Sequence, residues 1–155
     1  MNAGTPETEQ GYAPPSMRQF SIFLDNKVGK LLELLEAFEE AEDVHVRAVS
    51  VIDASDHAVV RLICDNADGA RHNLRRNNFS YSEMNILVVE LTQDWSFREA
   101  CRFLLGAELN IDFAYPVMRR GDELPAMALA VDDHTFAGQI LLRKGFQLLG
   151  EQDLA

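Results

Sequence analysis

The chain contains an internal repeat, and this repeat limits the available folds more than any other feature. Leu74-Arg-Arg-Asn-Asn-Phe79 is followed 67 residues later by Leu141-Leu-Arg-Lys-Gly-Phe146. The same offset relates two further pairs of segments, 44–46 to 111–113 and 64–65 to 131–132. A period of this length is too long for a solenoid repeat and suits one small α+β unit. The sequence therefore predicts one folding unit duplicated within a single chain.

Composition and charge indicate a packed protein that is unsuited to nucleic acids. Hydrophobic residues make up 47% of the chain, which is enough for a buried core. Two units of about 70 residues would each be marginally stable alone, so we expect them to pack against each other. The formal net charge of −11 argues against nucleic acid binding, because phosphate contacts need clustered Lys and Arg side chains.

No segment of the sequence predicts a membrane anchor. No apolar run approaches the length of about 18 residues that a spanning helix needs, and no charged-then-apolar leader begins the chain. Cys64 and Cys101 lie far apart and form no CxxC motif, which favours reduced, buried thiols. We therefore expect a cytoplasmic protein.

Hydrophobic periodicity predicts the same order of elements in both halves. Residues 1–16 show no periodicity and are predicted to form a disordered N-terminal tail. Residues 17–85 and residues 86–155 each show the pattern of strand, helix, two strands, helix and strand. The sequence therefore predicts two domains with the order βαββαβ.

Alternation and capping residues also place individual elements within each half. In the first half, a strand over 44–53 has Val44, Val46 and Ala48 on one face, Asp68 caps the second helix, and 79–84 is the closing strand. In the second half, residues 86–91 are predicted to form a strand. A further strand is indicated by the alternation of Ile111, Phe113, Tyr115 and Val117. Asp132 or Asp133 is predicted to cap the last helix, and residues 146–149 to form the last strand.

The order βαββαβ is that of a ferredoxin-like unit, in which both helices cover one face of a four-stranded antiparallel sheet. We therefore predict an α+β fold made of two ferredoxin-like units packed side by side. Joining the two sheets edge to edge would give a continuous eight-stranded antiparallel sheet with helices on one face. That arrangement would also cover two exposed strand edges.

The sequence contains no recognisable catalytic or metal-binding motif. The GxSxG, Walker, GxGxxG and HExxH patterns are absent, and the four histidines share no metal-ligand spacing. We therefore expect no catalytic residues, no cofactor and no metal site. Leu142-Arg-Lys-Gly-Phe146 is similar to the closing segment of small N-acetyltransferases, but the pyrophosphate loop of that family is missing.

The loop at 25–31 is the strongest candidate for a binding site. Asp25-Asn-Lys-Val-Gly-Lys-Leu31 leads from a strand into a helix N-terminus, where unpaired backbone N–H groups and the helix dipole favour an anion. A carboxylate of amino-acid size suits this place. Gly29 lets the backbone approach a ligand or adopt a positive φ, and the amide of Asn26 can donate and accept hydrogen bonds. The alternative is an ordinary strand-to-helix turn.

The segment Phe20–Leu31 resembles the first strand and loop of an ACT domain, where a strand precedes Asn-(Arg/Lys)-Pro-Gly-x-Leu. With the predicted element order and the repeat, the chain is similar to tandem ACT-domain proteins made of two such units. The resemblance implies a non-catalytic protein that senses a small molecule, most often an amino acid. Two departures stand out, because Val28 replaces the usual Pro and the second loop, 92–96, has no Gly.

In that family the effector lies between the strand-to-helix loop of one unit and the second strand of its neighbour. The resemblance therefore implies a ligand site formed by Asn26, Lys27, Val28, Gly29 and Leu31 with Asn110, Ile111 and Asp112. It also implies a second, weaker site formed by Gln93, Asp94 and Trp95 with Val44 and His45. Because the Trp95 ring would crowd a ligand, we expect the first site to be better formed.

Three functions remain open from the sequence. The first is a regulatory protein that binds a small amino acid or related carboxylate at the interface between its ACT-like units. The second is a ligand-free module for oligomerisation or for docking to a metabolic enzyme. The third is a small acyltransferase, which the missing pyrophosphate loop disfavours. For the first two we expect a homodimer that binds neither nucleic acid nor membranes.

Overall fold

The computed structural model describes residues 7–8, 11–12, 14–25, 28–54 and 56–155. The chain divides into two compact units. The first unit comprises residues 18–84 with 154–155, and the second unit comprises residues 1–17 with 85–153.

The described residues form eight strands and four α-helices. The strands are β1 (Glu7–Thr8), β2 (Gly11–Tyr12), β3 (Met17–Asp25), β4 (Val46–Asp53), β5 (His57–Cys64), β6 (Ser80–Glu90), β7 (Ile111–Val117) and β8 (Ala126–Val131). The helices are α1 (Lys30–Glu39), α2 (Ala67–Arg76), α3 (Phe97–Gly106) and α4 (His134–Arg143), and a 3-10 helix covers Glu151–Leu154. The α+β class predicted from the sequence is confirmed.

The sheet of the first unit has the strand order β4-β5-β3-β6, and β5 is antiparallel to both of its neighbours. Helices α1 and α2 contribute to a single core with one face of this sheet. The core is formed by Phe20, Ile22, Leu24, Val60 and Leu62 of the strands and by Leu34, Phe38, Ala70 and Leu74 of the helices. This arrangement is the predicted ferredoxin-like one.

The second unit repeats the arrangement with the strand order β6-β8-β7. Its core joins Leu87, Val89, Leu129 and Val131 of the sheet to Ala100, Leu104, Ala137 and Leu141 of α3 and α4. The predicted last strand, 146–149, is reduced to a bridge between Leu148 and Val89. Backbone hydrogen bonds of 2.9 Å on either side of this bridge join it to the end of β6.

The boundary between the two halves differs from the prediction. Two separate strands were expected at 79–84 and 86–91, but the structure has the single strand β6. Asn85 is neither Gly nor Pro, and the extended backbone continues through it. Before Asn85 the side chains are exposed or partly buried, whereas Ile86 to Val89 are all buried. The continuous eight-stranded sheet of both units stays a prediction.

A bulge in β4 changes which side chains share a face. Val46 pairs with Cys64 but Ala48 pairs with Ile63, so Arg47 is an extra residue on this strand. Paired residues lie on the same face, and the neighbours Ile63 and Cys64 lie on opposite faces. Val46 and Ala48 therefore lie on opposite faces, and the prediction that they share one is wrong.

The corresponding bulge in β7 has the same effect. Ile111 pairs with Val131, whereas Phe113 pairs with Ala130. Ile111 consequently packs against the helix-side core, and the predicted alternation along this strand begins only at Phe113.

The helix starts correct one predicted cap and decide between two alternatives for another. Asn66 caps α2, because its side chain accepts a hydrogen bond from the Gly69 N–H at 3.0 Å, and the predicted cap Asp68 is already helical. Asp133 caps α4 by accepting from the Phe136 N–H at 3.1 Å. The sequence left Asp132 and Asp133 as alternatives.

Helices α2, α3 and α4 end in the same motif. In each, the second residue after the helix has a left-handed backbone, with φ of 59° at Asn78, 58° at Glu108 and 95° at Gly145. The following N–H then reaches back five residues, from Phe79 to the Leu74 carbonyl at 3.0 Å, from Leu109 to Leu104 at 2.9 Å and from Phe146 to Leu141 at 3.0 Å. These are Schellman motifs. The repeated segments 74–79 and 141–146 therefore encode helix ends.

The N-terminal segment contributes a short ladder and one packing contact. Strands β1 and β2 pair antiparallel. Pro14 is buried. A Cβ on Gly138 would lie only 2.6 Å from the ring carbons of Pro14, so the glycine allows Pro14 to approach α4 closely. Nine of the residues in the predicted disordered tail, 1–6, 9–10 and 13, lie outside the described part of the chain. Within the described residues, every helix is too short or too polar to cross a bilayer.

Candidate functional site

The turn between β3 and α1 ends in a glycine with a left-handed backbone. Gly29 is the N-cap of α1 at φ 90°, a conformation that strains residues with a side chain. As a glycine it has no side chain to cap the helix, and the first helical hydrogen bond joins the Glu33 N–H to its carbonyl at 2.9 Å. Among the described residues, no atom lies within 4 Å of the position that a Cβ at Gly29 would take. The first-turn N–H groups can therefore serve a ligand.

The other residues predicted for this loop are placed less favourably or lie outside the description. Asn26 and Lys27 are not among the described residues. Val28 is fully exposed, and Leu31 is exposed as well. Lys30 forms an ion pair of 3.3 Å with Glu33 one turn along the helix.

A polar cleft of about 240 Å³ lies beside this turn, within the first unit. It is lined by Phe23, Leu24, Asp25, Lys30, Glu33, Asn77, Asn78, Phe79 and Ser80. The lining thus offers one cation, two carboxylates and two amides within a volume suited to a small polar molecule. The end of α2 contributes to the cleft because β6, which follows α2, lies beside β3 in the sheet.

The strand positions predicted to complete the first site hold each other in place. The Asn110 side chain donates to Asp112 Oδ1 at 2.9 Å, and the Asn110 backbone N–H donates to Asp132 Oδ1 at 2.9 Å. The Ile111 side chain is partly buried against the core of its unit. These residues and Gly29 belong to different units, and a joint site stays a prediction.

Of the residues predicted for the second site, Val44 and His45 have different environments. Val44 is buried in the core of the first unit. His45 has an exposed ring whose Nδ1 donates to Asp65 Oδ2 at 2.8 Å, while its backbone N–H donates to Asp65 Oδ1, also at 2.8 Å. Arg47 adds a contact of 3.4 Å to the same carboxylate and donates to the Leu154 carbonyl at 3.1 Å.

These contacts set the charge state of Asp65. Burial raises the pKa of Asp65, but the hydrogen bonds from His45 and the charges of His45 and Arg47 outweigh burial. The pKa of this carboxyl is therefore lowered from its ordinary value of 3.8. The His45 ring is thereby fixed by an ionised carboxylate, which leaves Nε2 as its outward nitrogen.

The same backbone contact occurs in the second unit, and it corrects the alignment of the two repeats. Asp132 accepts from the Asn110 N–H as Asp65 accepts from the His45 N–H. Asp65 and Asp132 are 67 residues apart, as the sequence indicated, but His45 and Asn110 are 65 apart. The alignment of segments 44–46 and 111–113 at the common offset is therefore wrong by two residues.

The second loop has a structural role that its sequence did not indicate. Trp95 Nε1 donates to the Lys144 carbonyl at 2.8 Å, and the ring lies over Gly145, where a Cβ would be 2.9 Å from it. The ring therefore covers the end of α4. Asp94 is exposed beside it.

An open, mostly apolar pocket of about 440 Å³ adjoins this loop. It is lined by Leu91, Thr92, Gln93, Ser96, Phe97, Leu124 and Pro125. Of the predicted second-site residues only Gln93 lines it, so the pocket is defined mainly by residues that the sequence reading missed. Leu124 and Pro125 directly precede β8, and no local pattern relates them to the loop.

The sequence matches the ACT domain pair family over residues 16–155, which is nearly the whole chain. The chain belongs to the ACT domain pair family. The resemblance inferred from the first loop and the repeat is thereby confirmed.

Two solved structures show the fold that this ACT domain pair adopts. Protein BT0572 from Bacteroides thetaiotaomicron is 22% identical, with a TM-score of 0.78 over 91% of this chain and 96% of that one. The ligand-free regulatory subunit of aspartate kinase from Thermus thermophilus is 9% identical, with a TM-score of 0.53 over 85% and 94% of the two chains. No curated protein matches the sequence.

Metal or thiol chemistry in this ACT domain pair would depend on how its His, Cys and acidic side chains are grouped. Among the described residues, no three His, Cys, Asp or Glu side chains are grouped so that they could hold a metal ion. Cys64 is buried in the first core, and Cys101 lies partly buried on α3. Burial raises the pKa of the Cys101 thiol, which keeps it protonated near neutral pH.

Proposed function

We propose that this ACT domain pair is a non-catalytic regulatory protein that binds a small amino acid or related carboxylate at the β3–α1 turn. The observation that carries the proposal is the left-handed Gly29 at an open helix start, beside a cleft with charges of both signs. Backbone N–H groups at such a start attract a carboxylate. Asp25 or Glu33 can meet an ammonium group, and the Lys30 side chain can meet the carboxylate.

Regulation follows from linkage between binding and conformation. A ligand changes the output of a protein only when it binds two arrangements with different affinity. The regulatory role is proposed from the family and from the fold shared with a regulatory subunit of aspartate kinase. A cytoplasmic location, a homodimer and an enzyme partner belong to the same proposal.

A thermal-shift series over the common amino acids tests ligand binding directly. A ligand at about 100 times its Kd stabilises the folded state by about 2.7 kcal/mol, which raises Tm by several degrees. An amino acid that raises Tm should lose its effect when its carboxylate is replaced by an amide. If no amino acid shifts Tm, the chain does not bind this ligand class and the ligand-free docking module is the better explanation.

Calorimetry on matched variants then tests the location. Lys30→Gln should weaken binding by at least about tenfold, because it removes the cation beside the cleft. Gly29→Ala should do so too, since alanine is strained at φ 90°. Arg102→Gln is the matched control, because Arg102 forms a similar exposed pair with Glu99 at 3.5 Å on α3. Equal losses in all three variants would contradict the proposed location.

A further inference from the structure

Helix α1 carries apolar side chains on two faces, and only one of them belongs to the core. Leu34 and Phe38 are buried under the sheet. Leu32 and Leu35 lie on another side of the helix, where they are 60% and 37% exposed. A surface helix normally presents polar residues on its outer side. The second apolar stripe is therefore a candidate contact surface.

These two leucines line a groove of about 620 Å³ between α1 and the start of β4. Phe38 and Val46 form other parts of its apolar wall. All of these residues belong to the first unit, so the groove is complete within that unit. Its volume and apolar lining are those of a site that accepts a side-chain cluster or a small molecule.

Strand β4 extends the apolar surface. Val49 and Val51 are 39% and 50% exposed, although they pair with Leu62 and Val60 of the helix-side core. They therefore lie on the same face of the sheet as the helices. Because β4 is at the end of the strand order, this surface lies at one side of the first unit.

The rim of the groove is strongly acidic. Glu39 and Glu42 line it directly, and the segment 33–43 contains six acidic residues and no Lys or Arg. Arg47 also lines the groove, but its guanidinium is engaged by the Asp65 carboxylate and the Leu154 carbonyl. The net field at this surface therefore favours a positively charged partner.

We propose that this groove docks a basic amphipathic helix of a partner protein, with its apolar face on Leu32 and Leu35 and its Lys or Arg side chains on Glu39 and Glu42. Laying an amphipathic helix in an apolar groove is a recurrent mode of recognition. The proposal goes beyond ligand binding at Gly29 and does not depend on it, because the two surfaces use different residues.

Charge argues against a second copy of this chain as the occupant. A two-fold contact places the same patch on both sides of the interface. Two copies meeting at this groove would therefore bring two acidic rims together, and like charges across an interface are repulsive. A basic partner is attracted by the same rim.

The test uses a synthetic helical peptide of about 20 residues, with Leu along one face and Lys on the flanks. A scrambled peptide of the same composition has no apolar face and controls for simple charge attraction. Fluorescence anisotropy is measured with the full chain, with the double variant Leu32→Ser/Leu35→Ser and with Leu105→Ser. Leu105 is the matched control, because it is a leucine on α3 that is 75% exposed.

The proposal predicts that the wild type binds the ordered peptide at least about tenfold more tightly than the scrambled one. The double variant should lose this preference while Leu105→Ser keeps it. Glu39→Gln/Glu42→Gln should weaken binding and flatten its salt dependence, whereas Glu108→Gln/Asp122→Asn should not. Circular dichroism checks that each variant is folded.

Three results would overturn the proposal. The wild type could bind neither peptide, it could bind both equally, or the double variant could bind as the wild type does. Sedimentation of the wild type and the double variant tests the competing occupant. Self-association that the double variant abolishes would assign the groove to a second copy of the chain instead.

Discussion

Two aspartates, one in each unit, hold the start of a neighbouring strand by the same hydrogen bond. The carboxylates of Asp65 and Asp132 follow β5 and β8 and accept the backbone N–H of the residue that precedes β4 or β7. Each carboxylate thus takes the place of a missing sheet hydrogen bond where the paired strands end. Asp65 also contacts the His45 ring and the Arg47 guanidinium. Asp65 and Asp132 therefore offer a matched comparison.

Asp65→Asn should lower the free energy of unfolding by about 1–3 kcal/mol at pH 7, because it removes the charge of a mostly buried carboxylate that accepts hydrogen bonds from His45 and Arg47. Asp132→Asn should have a smaller effect, since its carboxylate is exposed. Urea unfolding of both variants beside the wild type measures the difference. A larger loss for Asp132→Asn would show that the contacts to His45 and Arg47 contribute little.

The contribution of Asp65 should depend on pH with a definite sign. Its pKa is lowered in the folded protein, so its stabilisation is present above the ordinary value of 3.8. It is lost as the pH falls through the lower folded value. The gap in unfolding free energy between wild type and Asp65→Asn should therefore be nearly constant from pH 7 to about 5 and should close in stronger acid. A gap that is unchanged down to about pH 2 would contradict the pKa shift.

At the scale of elements, one helix-ending motif explains the repeat and also shows where the chain is strained. Three helices end with a left-handed residue, but only α4 has glycine there. Asn tolerates this conformation better than most residues, whereas Glu does not. Glu108 at φ 58° is therefore the strained member of the set.

Glu108→Gly should stabilise the protein by about 0.5–1 kcal/mol, because the relief of left-handed strain exceeds the added freedom of the unfolded chain. Gly145→Ala should destabilise it by more than about 1 kcal/mol, since alanine is strained at φ 95° and its Cβ would collide with Trp95. Thermal unfolding of both variants measures the two changes. Gly106→Ala, at the last residue of α3, where no described atom lies within 4 Å of the added Cβ, is the control and should be neutral or stabilising.

The bulges in β4 and β7 are the element-scale features with the greatest effect on the sites. Each moves the following residue to the opposite face of its strand. Ile111 is thereby turned into the core between the polar residues Asn110 and Asp112. A bulge adds one residue without a characteristic local sequence, and for this reason the strand patterns were read in the wrong register.

For the whole molecule, the formal net charge of −11 is the dominant long-range property. Excess charge of one sign destabilises the compact state through self-repulsion, and salt screens this repulsion. Raising the salt concentration from about 0.01 to 0.5 M, which shortens the Debye length several-fold, should raise Tm by a few degrees. An uncharged osmolyte at matched osmolality separates screening from excluded-solvent effects. A fall in Tm would show that individual ion pairs outweigh the repulsion.

The sequence by itself determined the fold class, the duplication and the family. Apolar periodicity predicted α1 and α3, and candidate N-caps predicted α2 and α4. The repeated segments 74–79 and 141–146 indicated the duplication because each encodes the same hydrogen-bonded helix end. The loop that ends in Gly29 was predictable for a related reason. A left-handed backbone favours glycine over other residues, so the glycine at this position indicated that conformation.

The tertiary structure alone decided which side chains meet. Asn77 and Asn78 line one cleft with Asp25 and Lys30 because α2 ends beside β3, and Trp95 lies over Gly145 because the second loop packs on the end of α4. Both contacts join residues that are about 50 apart in the chain, and no local pattern encodes the distance between them. The register of β4 and β7, and the continuity of β6 through Asn85, likewise depend on hydrogen bonds to neighbouring strands rather than on local propensity.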